Sequence, residues 1–411
     1  MDRTPHREKF GGCVLTEAER ELRAYSDELL DSPIRGPRLA LPALKQTLKY
    51  APSIRAAERI GFLDLLRDCS STCLRDQCWP TDYYKLRLYR EDRRRLAPSF
   101  FHERAVLRLL EELNTSEGCA VLDDKLKFAA ACAAHGLPHV ETLVHFEDGR
   151  SALQDADLPK KLPRQSLFVK YSLSRCGSGV DRWAYDPQHG TYRHGDQELA
   201  PDALIDAVRE MSAGHANVAS DGGAKKTHPA GTYIIQEELR NHPLIERFSN
   251  GALCTIRVLT GRGNEGAPKV IVAALRMPTG SSAVDNFQAG GLASGIELET
   301  GRLGRALYKD LRQLERDEHP DSGEQITGET LPFWTETLEL CLEAHRCFPD
   351  VASVGWDVAI TSDGLKLLEA NPTWGVDVVQ VPAGQPLGRT ALPAMLLSHI
   401  AVLQQERRAS R

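Results

Sequence analysis

The segment Gly355–Gly375, GWDVAITSDGLKLLEANPTWG, decides how this chain is read. It reads as strand, turn, strand: Val354 to Thr361, a break at Ser362-Asp363-Gly364, then Leu365 to Ala370. With those three residues as the loop and Gly364 at a positive-φ position, Thr361 pairs with Leu365. Counting back sets Asp357 opposite Glu369, with Asn371 on the same face two residues further along. A two-residue Asp363-Gly364 turn is the competing register. It pairs Val358 with Glu369 and sends Asp357 to the other face. The apolar pattern does not choose between them.

In the first register the two carboxylates have Cβ atoms about 5 Å apart, where like charges repel. At an effective dielectric of roughly 20 the repulsion is about 3 kcal/mol, a sizeable share of a domain's stability. A cation removes the penalty. Aspartate, glutamate and the asparagine amide oxygen are hard ligands, the set that suits Mg²⁺ bound together with substrate phosphates.

The rest of the chain sets bounds on this reading. Its 411 residues suffice for two or three domains, and 41% hydrophobic with 26% charged residues is ordinary for a globular protein. A net charge of −6 gives no overall footprint for nucleic acid. The start, MDRTPHREKF, lacks the apolar core of a secretory signal, and no apolar run approaches a membrane span, so the expected location is cytoplasmic. Among ten cysteines only Cys69, Cys73 and Cys78 are close together, without zinc-module spacing, and they are expected as buried free thiols.

Residues 1–117 read as helices punctuated by prolines, including Pro42 and Pro52. The basic aromatic stretch Tyr83–Arg95 is expected to be a solvated helix face rather than an RNA surface. The basic tail ERRASR is expected to fray. Over 118–235 come a capped helix containing Lys125 and Lys127, strands, a short hairpin over Pro187–Gly190, and a loop-like stretch from Ser212 to Gly231. Over 236–405 strands dominate, with helices from about Leu331 to Cys347 and from about Ala391 to Gln405. Strands and helices mix without strict alternation, which predicts an α+β fold.

Several short stretches carry possible chemistry. Lys170 ends an apolar strand that runs into Gly177, Ser178 and Gly179, where backbone N–H groups can approach phosphate. Gln236-Glu237-Glu238-Leu239 ends another strand, offering backbone groups for adenine and acids for ribose. Arg257 and Arg276 sit on strands and can meet charge developing on a transferring phosphoryl group. Asn286 precedes Gly290 and Gly291 in a close-approach loop. Each also has a plainer reading: an ordinary turn, a solubilising acid, a surface arginine.

The order of these features resembles the ATP-grasp superfamily, and more closely the sugar-transfer associated ATP-grasp group. The phrases YIIQEELRNHPLIERFSNGALCTIRVLT, NFQAGGLASGIELETGRLG and VGWDVAITSDGLKLLEANPTWGVD carry the likeness. The resemblance implies an ATP-grasp fold, two α+β subdomains (118–235 and 236–405) gripping ATP, behind a helical segment (1–117). It implies Lys125, or less favourably Lys127, as the first nucleotide lysine and Lys170 as the second. Gln236, Glu237 and Leu239 would hold adenine, with Glu238 or His242 at the ribose. Arg257, Arg276 and Asn286 would face the transferred phosphate. Asp357, Glu369 and Asn371 would hold two Mg²⁺ ions, with Glu369 bridging. The insertion NHPLIERFSNGA leaves the ribose ligand open, and the separate α/β domain that commonly precedes such units is not evident. The implied activity is ATP-dependent joining of a small-molecule carboxylate to an amine through an acyl phosphate. Phosphotransfer to a hydroxyl and nucleotide-dependent regulation without turnover stay open as alternatives.

Overall fold

The computed structural model describes residues 15–29, 34, 36–174, 179–214, 217–219, 225–227, 230–280, 285, 287, 290–313 and 315–410. The strands are β1 (Thr142–Phe146), β2 (Leu167–Tyr171), β3 (Val180–Asp186), β4 (Thr191–His194), β5 (Gln197–Leu199), β6 (Asn217–Ala219), β7 (Lys225–Thr227), β8 (Tyr233–Glu237), β9 (Thr255–Gly261), β10 (Lys269–Met277), β11 (Leu292–Ile296), β12 (Leu303–Tyr308), β13 (Ser353–Thr361) and β14 (Gly364–Asn371). They build one sheet in the order β1-β8-β2-β3-β4-β5 and a second in the order β12-β11-β10-β9-β13-β14. The pair β6-β7 lies inside the stretch expected to be loop.

The second sheet positions the site. Ile256 and Val258 of β9, with Val354, Trp356, Val358 and Ile360 of β13, pack on helix Trp334–Arg346 and on Cys119, Leu122 and Phe128. Leu259 belongs to the opposite core, with Trp374, Val379, Leu392 and Leu396. Covering both faces explains why β9 is buried along its whole length. The period-2 alternation therefore turns Arg257 and Asp357 away from Trp356 and toward the side of Leu259 and Trp374.

Two readings of the helical segment need correction. Helix Gly36–Glu58 runs unbroken through Pro42 and Pro52. Its inner face, Leu39, Ala43, Thr47, Ala51 and Ile54, is buried at helical spacing. That packing outweighs the cost of about 3 kcal/mol that each interior proline carries. Nor is Tyr83–Arg95 a solvated face: Tyr83 and Tyr84 are fully buried, and the Tyr84 hydroxyl lies 2.7 Å from Thr47 Oγ1. The stretch is split between helices Pro80–Lys85 and Glu91–Arg94, so its rings and charges need not share one helical face. Arg87 is itself buried and pairs with Glu315 at 2.5 Å. This core is continuous with Phe287, Ala293, Leu307, Val378 and Val381. The tail stays helical to Ala409 and Arg407 pairs with Glu112. Cys69, Cys73 and Cys78 are buried free thiols.

Candidate active site

The β13–β14 hairpin holds the first expected register from Asp357 outward, but it reaches it from a different turn. Thr361 pairs with Gly364, so Ser362-Asp363 is the loop, and Gly364 has φ of 104°. Left regular, that ladder would set Asp357 against Leu368. Instead the partners step from Leu367 to Glu369 between Val358 and Asp357, leaving Leu368 as an extra residue in β14. The bulge restores Asp357↔Glu369 and Gly355↔Asn371.

On its other side Asp357 is paired with Arg257 of β9. Glu369, Asp357 and Arg257 therefore form one row across three strands. Asp357 is 1% exposed. Arg257 donates to both its oxygens, Nε at 2.5 Å and Nη2 at 3.0 Å, and Arg276 Nη2 donates at 3.0 Å. Burial alone would push the Asp357 carboxyl up, yet the two guanidiniums hold it well below the usual carboxylate range. The carboxylate repulsion expected from sequence is thus offset here by arginines. Burial opposes the charge on Arg276, but Asp285, Asp357 and Glu369 together hold its pKa above the usual value.

The lysines approach from the first sheet and from helix Lys125–Ala134. Asp124 caps that helix, accepting from Leu126 N at 3.0 Å and Lys127 N at 3.3 Å. Lys125 Nζ lies 3.4 Å from Glu369 and donates to Ser174 O, whereas Lys127 is exposed. Lys170 Nζ donates to Gln236 Oε1 at 2.9 Å. Burial, with repulsion from Lys125 and opposed by Glu369, brings its ammonium down to about 8.

A cavity of about 520 Å³ joins these groups. Its walls include Lys125, Lys170, Glu237, Leu239, Arg257, Arg276, Asp357, Glu369 and Asn371. Gln236 reaches it only through Lys170. Glu238 and His242 are not on its wall. Glu238 is held by Arg182 at 2.5 Å and 2.9 Å. His242 caps helix Pro243–Glu246 and meets the Phe333 ring edge-on at 5.4 Å. Glu238 faces away by alternation between the wall residues Glu237 and Leu239, and His242 lies beyond the last of them. Gly179, with φ of 68°, supports the turn back into β3 and accepts from Tyr171 N at 3.0 Å. Gly177, Ser178 and Asn286 lie outside the described residues.

Sequence reasoning missed other wall residues. Asp285 and Thr255 sit behind Arg276: Thr255 Oγ1 accepts from Arg276 Nε at 2.9 Å and donates to Asp285. Asp285 immediately precedes the asparagine that had been singled out, which was the available signal. Glu103 and Asp377 bring acids from the helical segment and from helix Val376–Ala383. Lys85 bridges them at 2.6 Å and 3.7 Å. Nothing local to Glu103 marks it, since its neighbours read as an ordinary amphipathic helix.

Two antiparallel sheets with helices, meeting at a cavity of lysines, arginines and facing acids, define the ATP-grasp class. The chain belongs to the sugar-transfer associated ATP-grasp family, whose model matches residues 104–392. Proteins of this class bind ATP, usually with Mg²⁺. Similar solved structures include the D-alanine-D-alanine ligase from Coxiella burnetii, at 12% identity over 74% of this chain and 68% of that one, TM-score 0.40. The Bacillus anthracis D-alanine-D-alanine ligase complexed with ATP shares 11% identity over 70% of this chain and 68% of its own, TM-score 0.37. An ADP complex of PurK, N5-carboxyaminoimidazole ribonucleotide synthetase, shares 12% over 67% and 52%, TM-score 0.35. No curated protein sequence matches the chain. Among the described residues no helix is long and apolar enough to cross a membrane.

Proposed function

We propose that this protein is an ATP-dependent carboxylate–amine ligase that works through an acyl phosphate, with the nucleotide held between segments 118–235 and 236–405. The observation that carries the reading is the meeting of Lys125, Lys170, Arg257 and Arg276 with Asp357, Glu369 and Asn371 around one cavity. Lys125 and Lys170 offset phosphate charge, and Glu237 with Leu239 borders the adenine. Asp357, Glu369 and Asn371 fit a divalent cation by donor type, all three on one wall, with Asn371 Nδ2 tied to Gly355 O at 3.2 Å so that its amide oxygen serves as the donor. Mg²⁺ held there supplies charge neutralisation of the phosphates. Arg257 and Arg276 exchange Asp357 for phosphate oxygens when the nucleotide occupies the cavity.

The chemistry needs no side-chain nucleophile. A substrate carboxylate oxygen bonds to the γ-phosphorus as the bond to ADP breaks. The amine nitrogen then bonds to the acyl carbon, phosphate leaves with its oxygen, and the amine gives up a proton. What the chain supplies is orientation and positive charge where oxygens crowd. The test is an ADP-release screen over carboxylate and amine pairs with Mg²⁺, repeated with hydroxylamine. A hydroxamate forms if an acyl phosphate is made. ADP release without hydroxamate in the presence of an alcohol acceptor assigns phosphotransfer instead, and background ADP with every acceptor rejects turnover.

A further inference from the structure

Helix Gly36–Glu58 buries one face and leaves the other to solvent. On the open face Leu41, Leu44 and Leu48 are 74%, 38% and 61% exposed. Their spacing of three and four residues makes a single stripe. Arg38, Lys45, Lys49 and Arg55 are exposed on the same helix. Between Gly36 and Ala57 there is no acidic residue, although the whole chain carries −6. The cavity lies elsewhere, and none of these residues is on its wall.

Three kinds of occupant differ in what they return to such a face. A second copy would set this basic helix against itself, so like charges would oppose burial of the leucines. A nucleic acid would answer the basic groups but offer nothing apolar to the leucines. The boundary of an anionic bilayer answers both. Leucines enter the acyl edge while lysine and arginine stems reach back to the headgroups. We propose that helix Gly36–Glu58 is a peripheral docking face for an anionic membrane surface. The attachment is reversible: three leucines and four basic groups anchor weakly, so binding depends on both anionic lipid and ionic strength. It is independent of the ligase reading and places whatever reaction the cavity performs beside a lipid interface.

The test is sedimentation of the full chain with vesicles of phosphatidylcholine alone and of phosphatidylcholine with phosphatidylglycerol. Pelleting is expected with the phosphatidylglycerol vesicles only and should be lost when salt is raised. The exposed-face variants L41Q/L44Q/L48Q and K45Q/K49Q should each weaken binding by about tenfold. Both replace solvent-facing residues by a good helix former, so melting midpoint and helical circular dichroism should match the parent. Failure of the parent to bind, or binding that persists in a folded L41Q/L44Q/L48Q chain, overturns the proposal. So does a parent dimer that the leucine variant dissolves without any vesicle binding, which would make the stripe a self-association face.

Discussion

Asp357 is held by three N–H groups from Arg257 and Arg276, so removing its carboxylate strands the buried Arg257, while Arg276 keeps Asp285. D357A is expected to lower unfolding free energy by about 3–5 kcal/mol, read by urea denaturation. E369A should cost well under that, about 1 kcal/mol or less, because Glu369 is a third exposed and its lysine contact is long. Yet both variants should abolish the Mg²⁺-dependent rise in melting temperature on adding ATP. If both keep the parent's rise, the metal assignment is wrong. Lys170 carries a pH prediction. Its ammonium titrates near 8 in the free protein, and bound phosphate favours the charged form. Nucleotide binding above that pH must therefore take up a proton, and affinity should fall with rising pH by up to about tenfold per unit. A titration series of ATP binding checks this, and K170R, which does not titrate there, should flatten it. For folding the sign is opposite. Above pH 8 and up to the ordinary lysine value the unfolded chain holds a proton that the folded chain lacks, so this group makes stability rise with pH. The chemical types at these positions were legible in the sequence. Their partners were not, since Arg257 and Asp357 are a hundred positions apart and only strand order makes them neighbours.

At the level of elements, the hairpin shows how a correct facing can rest on an unforeseen turn. The apolar period left two registers open, and only a three-residue loop set the two acids opposite; the loop is one residue shorter than that, and the bulge at Leu368 makes up the difference. A bulge leaves no mark in an apolar pattern, because Leu367 and Leu368 are the same residue type. Helix Val376–Ala383 packs on β11 at an equally unreadable contact. A Cβ on Gly295 would come within 2.5 Å of Ala383 Cα and 2.6 Å of Pro382 O. G295A should therefore destabilise by about 1–3 kcal/mol, since backbone cannot yield as a side-chain tip can. G304A is the control. Its nearest neighbour would be Gly295 O at 3.6 Å, and denaturation midpoints should move by no more than about 0.5 kcal/mol equivalent.

Across the whole molecule, the helical segment shares its core with Ala293 and Leu307 of the second sheet, with Val378 and Val381 of helix Val376–Ala383, and with Phe287. It also sends Glu103 and Leu107 to the cavity wall. A chain lacking residues 1–100 would expose that apolar face. We expect it to aggregate, and the intact chain to show no separate early transition for the segment in scanning calorimetry. An early transition assignable to residues 15–100 would show that the shared core is not cooperative.

The order of short motifs along the chain was enough to define the family, the α+β class, and the lysines, arginines and acids worth watching. These are properties of residue type and local period, which any unfolded copy of the sequence already possesses. Which acid faces which base, that the ribose candidates Glu238 and His242 turn outward, and that Glu103 and Asp285 border the cavity depend on strand order and on how two sheets meet. Contacts between residues a hundred or more positions apart have no local signature, so folding alone creates them.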